Sequence, residues 1–265
     1  MKSLAALSSD EARTLRGVVF DLDGTVLTRG ALTLEAYRAL HELRASGLEL
    51  VASTGRPAGW GAVLARQWPL DLAISENGAV AHRRAGDRLE LVDGVDASTR
   101  ERRRDRLASI VRELRASFAD IPLADDNEAR RTDTTFDVRE SMATPAPRVA
   151  ELRRAAAALG ARTFESSIHV HVTLETDDKA SGTVRFLSRA FGVDSTSALA
   201  RYAFIGDSAN DEACFSAFAT TFAVANVREW LRQLGRTPRF VSQRSEGAGF
   251  AEIVEALLAG QRGGA

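Results

Sequence analysis

The chain has 265 residues, 45% hydrophobic and 27% charged, enough to bury a proper core in one large domain or two smaller ones. A formal net charge of -1 offers no broad attraction for nucleic acid or an anionic membrane, so an anionic ligand has to be held by a local site. No apolar run approaches the ~20 residues that span a bilayer, the stretch from Leu4 to Leu7 is too short for a signal-peptide core, and Cys214 is alone and cannot form an internal disulfide. The expectation is a soluble cytoplasmic protein, a monomer or small homo-oligomer, whose partner is a small anion rather than nucleic acid or membrane.

The 35 basic residues are 33 arginines and two lysines, Lys2 and Lys179. With arginine the default cation, an internal lysine marks a place where a compact ammonium differs from a planar guanidinium, which makes Lys179 a site candidate. In chain order, the apolar run Gly17 to Phe20 reads as a buried strand ending in the polar turn Asp21-Leu22-Asp23-Gly24-Thr25. Thr33 is placed to cap a helix in which Leu34, Tyr37, Leu40 and Leu43 recur at helical spacing, with Gly47 at its end. A second strand, Leu48 to Ala52, stops at Ser53-Thr54-Gly55-Arg56, and Leu72-Ala73-Ile74 leads into Glu76-Asn77-Gly78.

From about Arg83 to Val172 this rhythm is lost and arginines crowd with acidic residues, which predicts a separate module. Its main helix is expected over Ser98 to Phe118, where Leu107, Ile110, Val111, Leu114 and Phe118 form one apolar stripe. The Arg102-Arg103-Arg104 cluster, interleaved with Glu101 and Asp105, reads as a solvated face. Strands at Thr134 to Val138 and Ser167 to Leu174 flank a helix from about Pro147 to Leu159, giving a small α+β unit. The first rhythm then resumes with a helix from Lys179 to Phe191 and a strand Tyr202 to Ile205 that ends at Gly206-Asp207-Ser208-Ala209-Asn210-Asp211. Short strands at Phe222 to Val224 and Phe240 to Val241 follow, then a helix near Phe250 to Leu258 and a small Gln261 to Ala265 tail.

Strands alternating with helices imply right-handed crossovers and a Rossmann-like parallel sheet, so the fold class is α/β with a smaller α+β unit inserted. The predicted division is 1–82 and 173–265 for the core and 83–172 for the insert. Ligands of such a sheet bind beyond the carboxyl ends of its strands, where Asp21, Asp23, Thr54, Asp207 and Asp211 stand. Several carboxylates at one point need a cation among them, and all-oxygen ligation suits magnesium. Thr54 and Lys179 would supply a hydroxyl and an ammonium to a phosphoryl group held there. There is no serine, histidine and acid arrangement, and the one cysteine falls in a helix-like stretch, so the available nucleophile is a carboxylate. Asp21 ends its strand directly and is first in line. Asp23, two residues on, is placed to protonate the leaving oxygen and later to take a proton from water.

Asp21-Leu22-Asp23-Gly24-Thr25-Val26, Ser53-Thr54-Gly55-Arg56, Lys179 and Gly206 to Asp211 resemble the four ordered motifs of the haloacid dehalogenase superfamily. The resemblance implies that Asp21 is the nucleophile and Asp23 the acid/base, with Thr54 and Lys179 holding phosphate beside Gly55 and Arg56. It also implies magnesium on Asp21, the main-chain carbonyl of Asp23 and Asp207, with Asp211 anchoring through water and Asn210 nearby. The insert is similar to the type IIB cap of Cof-like, sucrose-phosphate, trehalose-phosphate and mannosyl-3-phosphoglycerate phosphatases. In that branch the region of Asn77 faces substrate, although Asn77-Gly78 is equally a hairpin signal. Cap candidates for the distal part of the substrate are Arg130, Arg131, Arg139, His169 and His171, the two histidines sharing one strand face. Asp177-Asp178 before Lys179 departs from the glycine-containing turn of many relatives.

The expected function is therefore a magnesium-dependent phosphatase for a small phosphorylated metabolite, foremost a sugar phosphate, working through an aspartyl-phosphate. Two alternatives stay open: a phosphomannomutase-like isomerase, and a non-catalytic phosphosugar-binding protein. A coupled assay with hexose 1-phosphate separates the first, and magnesium-dependent turnover of p-nitrophenyl phosphate the second.

Overall fold

The computed structural model describes residues 1–166 and 168–263. Ser167, taken above as the start of a strand, and the last two residues of the tail lie outside the described residues. The first half of the chain runs through β1 (Lys2–Ser3), α1 (Ser9–Thr14), β2 (Gly17–Phe20), β3 (Leu27–Thr28), β4 (Ala31–Leu32), α2 (Leu34–Ala45), β5 (Glu49–Ser53), α3 (Ala58–Gln67), β6 (Leu72–Ser75), β7 (Val80–Ala85) and β8 (Arg88–Asp93). The insert follows as α4 (Ala97–Ser117), β9 (Asp133–Asp137), α5 (Ala146–Ala158), β10 (Arg162–Glu165) and β11 (His169–Thr173). The chain then returns through α6 (Lys179–Phe191), α7 (Ser195–Arg201), β12 (Tyr202–Gly206), α8 (Glu212–Ala217), β13 (Thr220–Ala223), β14 (Phe240–Val241) and α9 (Glu246–Arg262).

Nine strands form one sheet in the order β1-β14-β13-β12-β2-β5-β6-β7-β8, parallel except where β7 and β8 join antiparallel. The central strands are buried on both faces, so their side chains divide by parity. Val18, Phe20, Leu50, Ala52, Ala203 and Ile205 face one core with α2, α3 and α9, while Val19, Val51, Tyr202 and Phe204 face the other with α6 and α8. The insert carries its own core on a three-stranded antiparallel sheet, β10-β11-β9, where Ile110, Leu114, Phe136, Leu152, Val170 and Val172 meet.

The boundary expected at residue 83 cuts through β7, which pairs with β6 from Ala73↔His82 to Ser75↔Val80 and continues into the β7–β8 hairpin. The large sheet therefore runs on to Asp93, and the separate unit begins with α4. These two strands are half exposed and rich in arginine, the pattern of a sheet edge rather than of a new module. Leu34 is 73% exposed and stands outside the stripe read for α2, whose buried face is Ala36, Ala39, Leu40 and Leu43. The edge strand β10 has a single apolar residue, Phe164, and carried no sequence signal. No helix among the described residues is long and apolar enough to cross a membrane.

Candidate active site

Four strands of the large sheet end at one point. Asp21 follows β2 and donates its N–H to Ile205 O at 2.9 Å, which fixes it beside the end of β12 and the loop carrying Asp207 and Asp211. Thr54 follows β5, 1% exposed, and Asn77 lies in the turn after β6. Lys179 opens α6, whose N-terminus is capped by Asp178 accepting from Ser181 N–H at 2.8 Å. Asp177 pairs with Arg185, so Asp177 and Asp178 both have structural duties. The helix reaches the site because Gly182 lies against Gly78, where a Cβ at position 182 would come within 2.4 Å of Gly78 O.

Lys179 Nζ donates to Asp21 Oδ1 and to Asp211 Oδ1, both at 2.6 Å. The other oxygen of Asp211 accepts from the N–H groups of Asp207 and Ser208 at 2.9 and 3.2 Å. Asp207 accepts from Thr25 Oγ1 at 3.1 Å and from Asn226 Nδ2 at 2.9 Å, and Asn226 Nδ2 also donates to Gly24 O. Gly24 has φ +73°, and a Cβ there would meet Asp207 Oδ2 at 2.5 Å. Burial lifts the proton affinity of Asp21, the ammonium of Lys179 opposes it, the charges of Asp211 and Asp23 add to it, and the net result is about 7. Asp207 is raised well above the carboxylate range by burial and by the charges of Asp211 and Asp21. Burial pulls the Lys179 ammonium toward neutrality, but Asp21 and Asp211 outweigh it and hold it above the ordinary lysine range.

Asp21, Asp207 and Asp211 can each offer an oxygen within 4.8 Å of the others'. The one ammonium pairs with Asp21 and Asp211 and leaves Asp207 without a cation among the described residues, and Asp21 and Asp207 have raised proton affinity, which is the pattern of a site short of positive charge. The donor set is all oxygen and suits a hard divalent cation.

Asp23 stands at the rim with its side chain 50% exposed, held by Arg56 in a bidentate pair at 2.5 and 2.7 Å, and the Arg56 guanidinium stacks on Trp60 at 3.8 Å. Thr54 Oγ1 accepts from Arg56 N–H at 3.1 Å. Asn210 Nδ2 donates to Asn77 Oδ1 at 3.2 Å, which joins the loops after β12 and β6. The Asn77 turn is both a tight left-handed connection between antiparallel β6 and β7 and part of the cleft wall.

Asp21, Asp23, Thr54, Arg56, Asn77, Lys179, Asp207 and Asn210 line one open cleft of about 1550 Å³ whose opposite wall is the insert, while Asp211 and Thr25 lie buried behind them. Arg139 lines it, donating to Glu165 Oε1 at 2.9 Å, and so do His169, bonded to Glu140, and His171, bonded to Asp133, each at 2.8 Å. The Arg130 side chain is 2% exposed and bound to Asp126, Asp133 and Gly55 O. Arg131 is the exception among the candidates: its side chain is outside the cleft, and its main-chain N–H serves Glu76 instead. Sequence reasoning missed Asn226, Glu76 and Asp133. Asn226 belongs to no motif, Asp133 gains its role only when β9 pairs with β11, and an acidic residue in a Glu-Asn-Gly turn reads as solvent exposed although Glu76 is 4% exposed.

Residues 18–99 match the model of the haloacid dehalogenase-like hydrolase family. A phosphoglycolate phosphatase of Pyrobaculum neutrophilum is 29% identical over 246 residues, 92% of this chain and 96% of the relative. Among solved structures, Thermoplasma acidophilum 0175 superposes with a TM-score of 0.73 at 19% identity over 92% of this chain and 98% of its own. The sucrose-phosphatase of Synechocystis sp. PCC6803 does so at 0.66 and 18%, with the same coverage. The match to the family model covers the first part of the large sheet, and the solved structures share the fold of core and insert over more than nine-tenths of the chain.

Proposed function

We propose that the protein is a magnesium-dependent phosphatase that releases phosphate from a small phosphorylated metabolite through an aspartyl-phosphate on Asp21. The observation that carries this reading is the bond of 2.6 Å from Lys179 Nζ to Asp21 Oδ1 inside a buried cluster of carboxylates. A carboxylate so placed is a nucleophile whose phosphoryl partner would find the ammonium and the Thr54 hydroxyl on either side. Asp21, the carbonyl of Asp23 and Asp207 would hold the magnesium, with Asp211 and Asn210 behind them. When bound, the ion supplies positive charge for the phosphoryl oxygens and for the carboxylates around it.

In the first step an Asp21 oxygen forms a bond to phosphorus, the bond from phosphorus to the leaving oxygen breaks, and Asp23 gives that oxygen a proton. In the second, Asp23 takes a proton from water, the water oxygen bonds to phosphorus, and Asp21 is released with inorganic phosphate. Asp23 is bound to Arg56 in the resting structure, so the guanidinium has to move as substrate enters.

We assign residues 94–172 as a cap that selects the substrate. A sugar phosphate is the first reading, supported by the size of the cleft and its hydrogen-bonding wall of Arg139, His169 and His171. A phosphorylated small acid is the second, supported by the name of the Pyrobaculum relative and by a guanidinium, Arg56, that lines the cleft beside Asp23. Phosphate release across a panel of sugar phosphates and 2-phosphoglycolate, with and without magnesium, tests both; absence of magnesium-dependent release from every member would overturn the proposal.

A further inference from the structure

We propose that Glu76 is a positioning residue: its buried carboxylate pins the cap to the core and through that pin sets the loop that presents Thr54 to the phosphoryl group. This rests on the phosphatase reading and adds to it a residue outside the catalytic set.

One carboxylate joins two units. Oε1 accepts from the N–H of Ala58, the first residue of α3, at 2.8 Å and from the N–H of Arg131 at 2.9 Å. Oε2 accepts from the N–H and the hydroxyl of Thr132, both at 2.6 Å. Four donors facing one acid are what allows a carboxylate to be buried here. The same stretch of cap touches the loop once more and the first turn of α3 once. Arg130 Nη1 donates to Gly55 O at 3.1 Å, and Ala129 sits so close to Gly59 that a Cβ there would lie 3.0 Å from the Ala129 Cβ. From the other side, Glu76 N–H donates to Arg56 O and Asn77 N–H to Thr54 O, each at 3.0 Å. The loop from Thr54 to Ala58 is thus clamped between the Glu76-Asn77 turn and the cap.

The backbone points the same way. Glu76, Asn77 and Gly78 have φ of 51°, 54° and 96°, three consecutive left-handed residues of which two carry a Cβ. Such a conformation persists where its surroundings over-determine it, as they do at sites whose geometry matters.

The test uses inorganic phosphate as a competitive inhibitor at pH 8, since it reads the phosphate loop without any leaving group. Glu76→Gln keeps the size of the side chain but turns one acceptor into a donor that faces N–H groups. Phosphate inhibition is expected to weaken about ten-fold. Thr132→Val removes one donor from the cap side alone and is expected to weaken it about three-fold. The double variant should be little worse than Glu76→Gln, because both cut one pin. If Glu76→Gln does not fold, Thr132→Val decides. Unchanged phosphate inhibition in folded variants that melt at lower temperature would make Glu76 a structural bond only and overturn the inference. A wild-type protein with neither turnover nor phosphate inhibition would instead remove the phosphatase reading, and the inference with it.

Discussion

The floor of the cleft is built by the backbone of one sheet, whereas its opposite wall is built by side chains paired with one another. On the floor, Asp21, Thr54 and Asp207 each follow directly from a strand end and Asn77 lies in the turn after another, and parallel pairing brings those ends together whatever the flanking residues. On the cap wall, Arg139 is bound to Glu165, His169 to Glu140 and His171 to Asp133, so each group's direction depends on a partner distant in sequence. A floor of this kind holds fixed chemistry, and a wall of this kind can change its polar face without disturbing the fold.

The largest effect expected from breaking this division is at the floor. Asp21→Asn removes the proposed nucleophile while keeping its shape, and phosphate release should fall by about 1,000-fold or more with the thermal midpoint near that of wild type. Release within a few-fold of wild type would move the chemistry elsewhere.

At the junction the effect is on stability. Glu76 is pushed up to about 7 by burial and by the charge of Asp133, with bonds from Thr132, Ala58 and Arg131 pulling the other way. Its folded value exceeds its unfolded value of 4.5. The contribution is therefore fully present below pH 4.5 and lost as pH rises through 7, a fall of about 3 kcal/mol. Denaturant unfolding from pH 4.5 to 8 should show this decline in wild type and a flatter profile in Glu76→Gln. Parallel profiles would mean that Glu76 is ionised throughout.

Asp207→Ala removes an anionic oxygen from the floor and should raise the magnesium concentration for half-maximal activity by about 100-fold. An unchanged titration would leave Asp207 without a metal role. The smallest effect belongs to the cap wall. Arg139→Ala should lower kcat/KM on the best natural substrate by about ten-fold, or 1.4 kcal/mol, and leave p-nitrophenyl phosphate nearly untouched. His171→Ala sharpens the contrast, because His171 holds Asp133 and through it Arg130 and Gly55 O, and it should cost activity on both substrates.

This difference between the two walls also decides what was legible in the sequence. Asp21, Thr54 and Asp207 stand where an apolar run stops, and a lysine kept in an arginine-rich chain marked Lys179, so the floor could be read from order and spacing. Magnesium, the intermediate and the substrate rest on chemistry that no strand end encodes. The hairpin of β7 and β8 was hidden because an edge strand exposes polar residues on both faces, and β10 because three of its four residues are polar. Glu76 and Asn226 were hidden for a different reason: their partners, Thr132 and Asp207, are brought to them only by the packed fold.

The central claim is that phosphate passes through Asp21. Acid quench during turnover of a substrate labelled in its phosphoryl group, followed by peptide mapping, should find hydroxylamine-labile label on the peptide containing Asp21. Label on any other residue would contradict it.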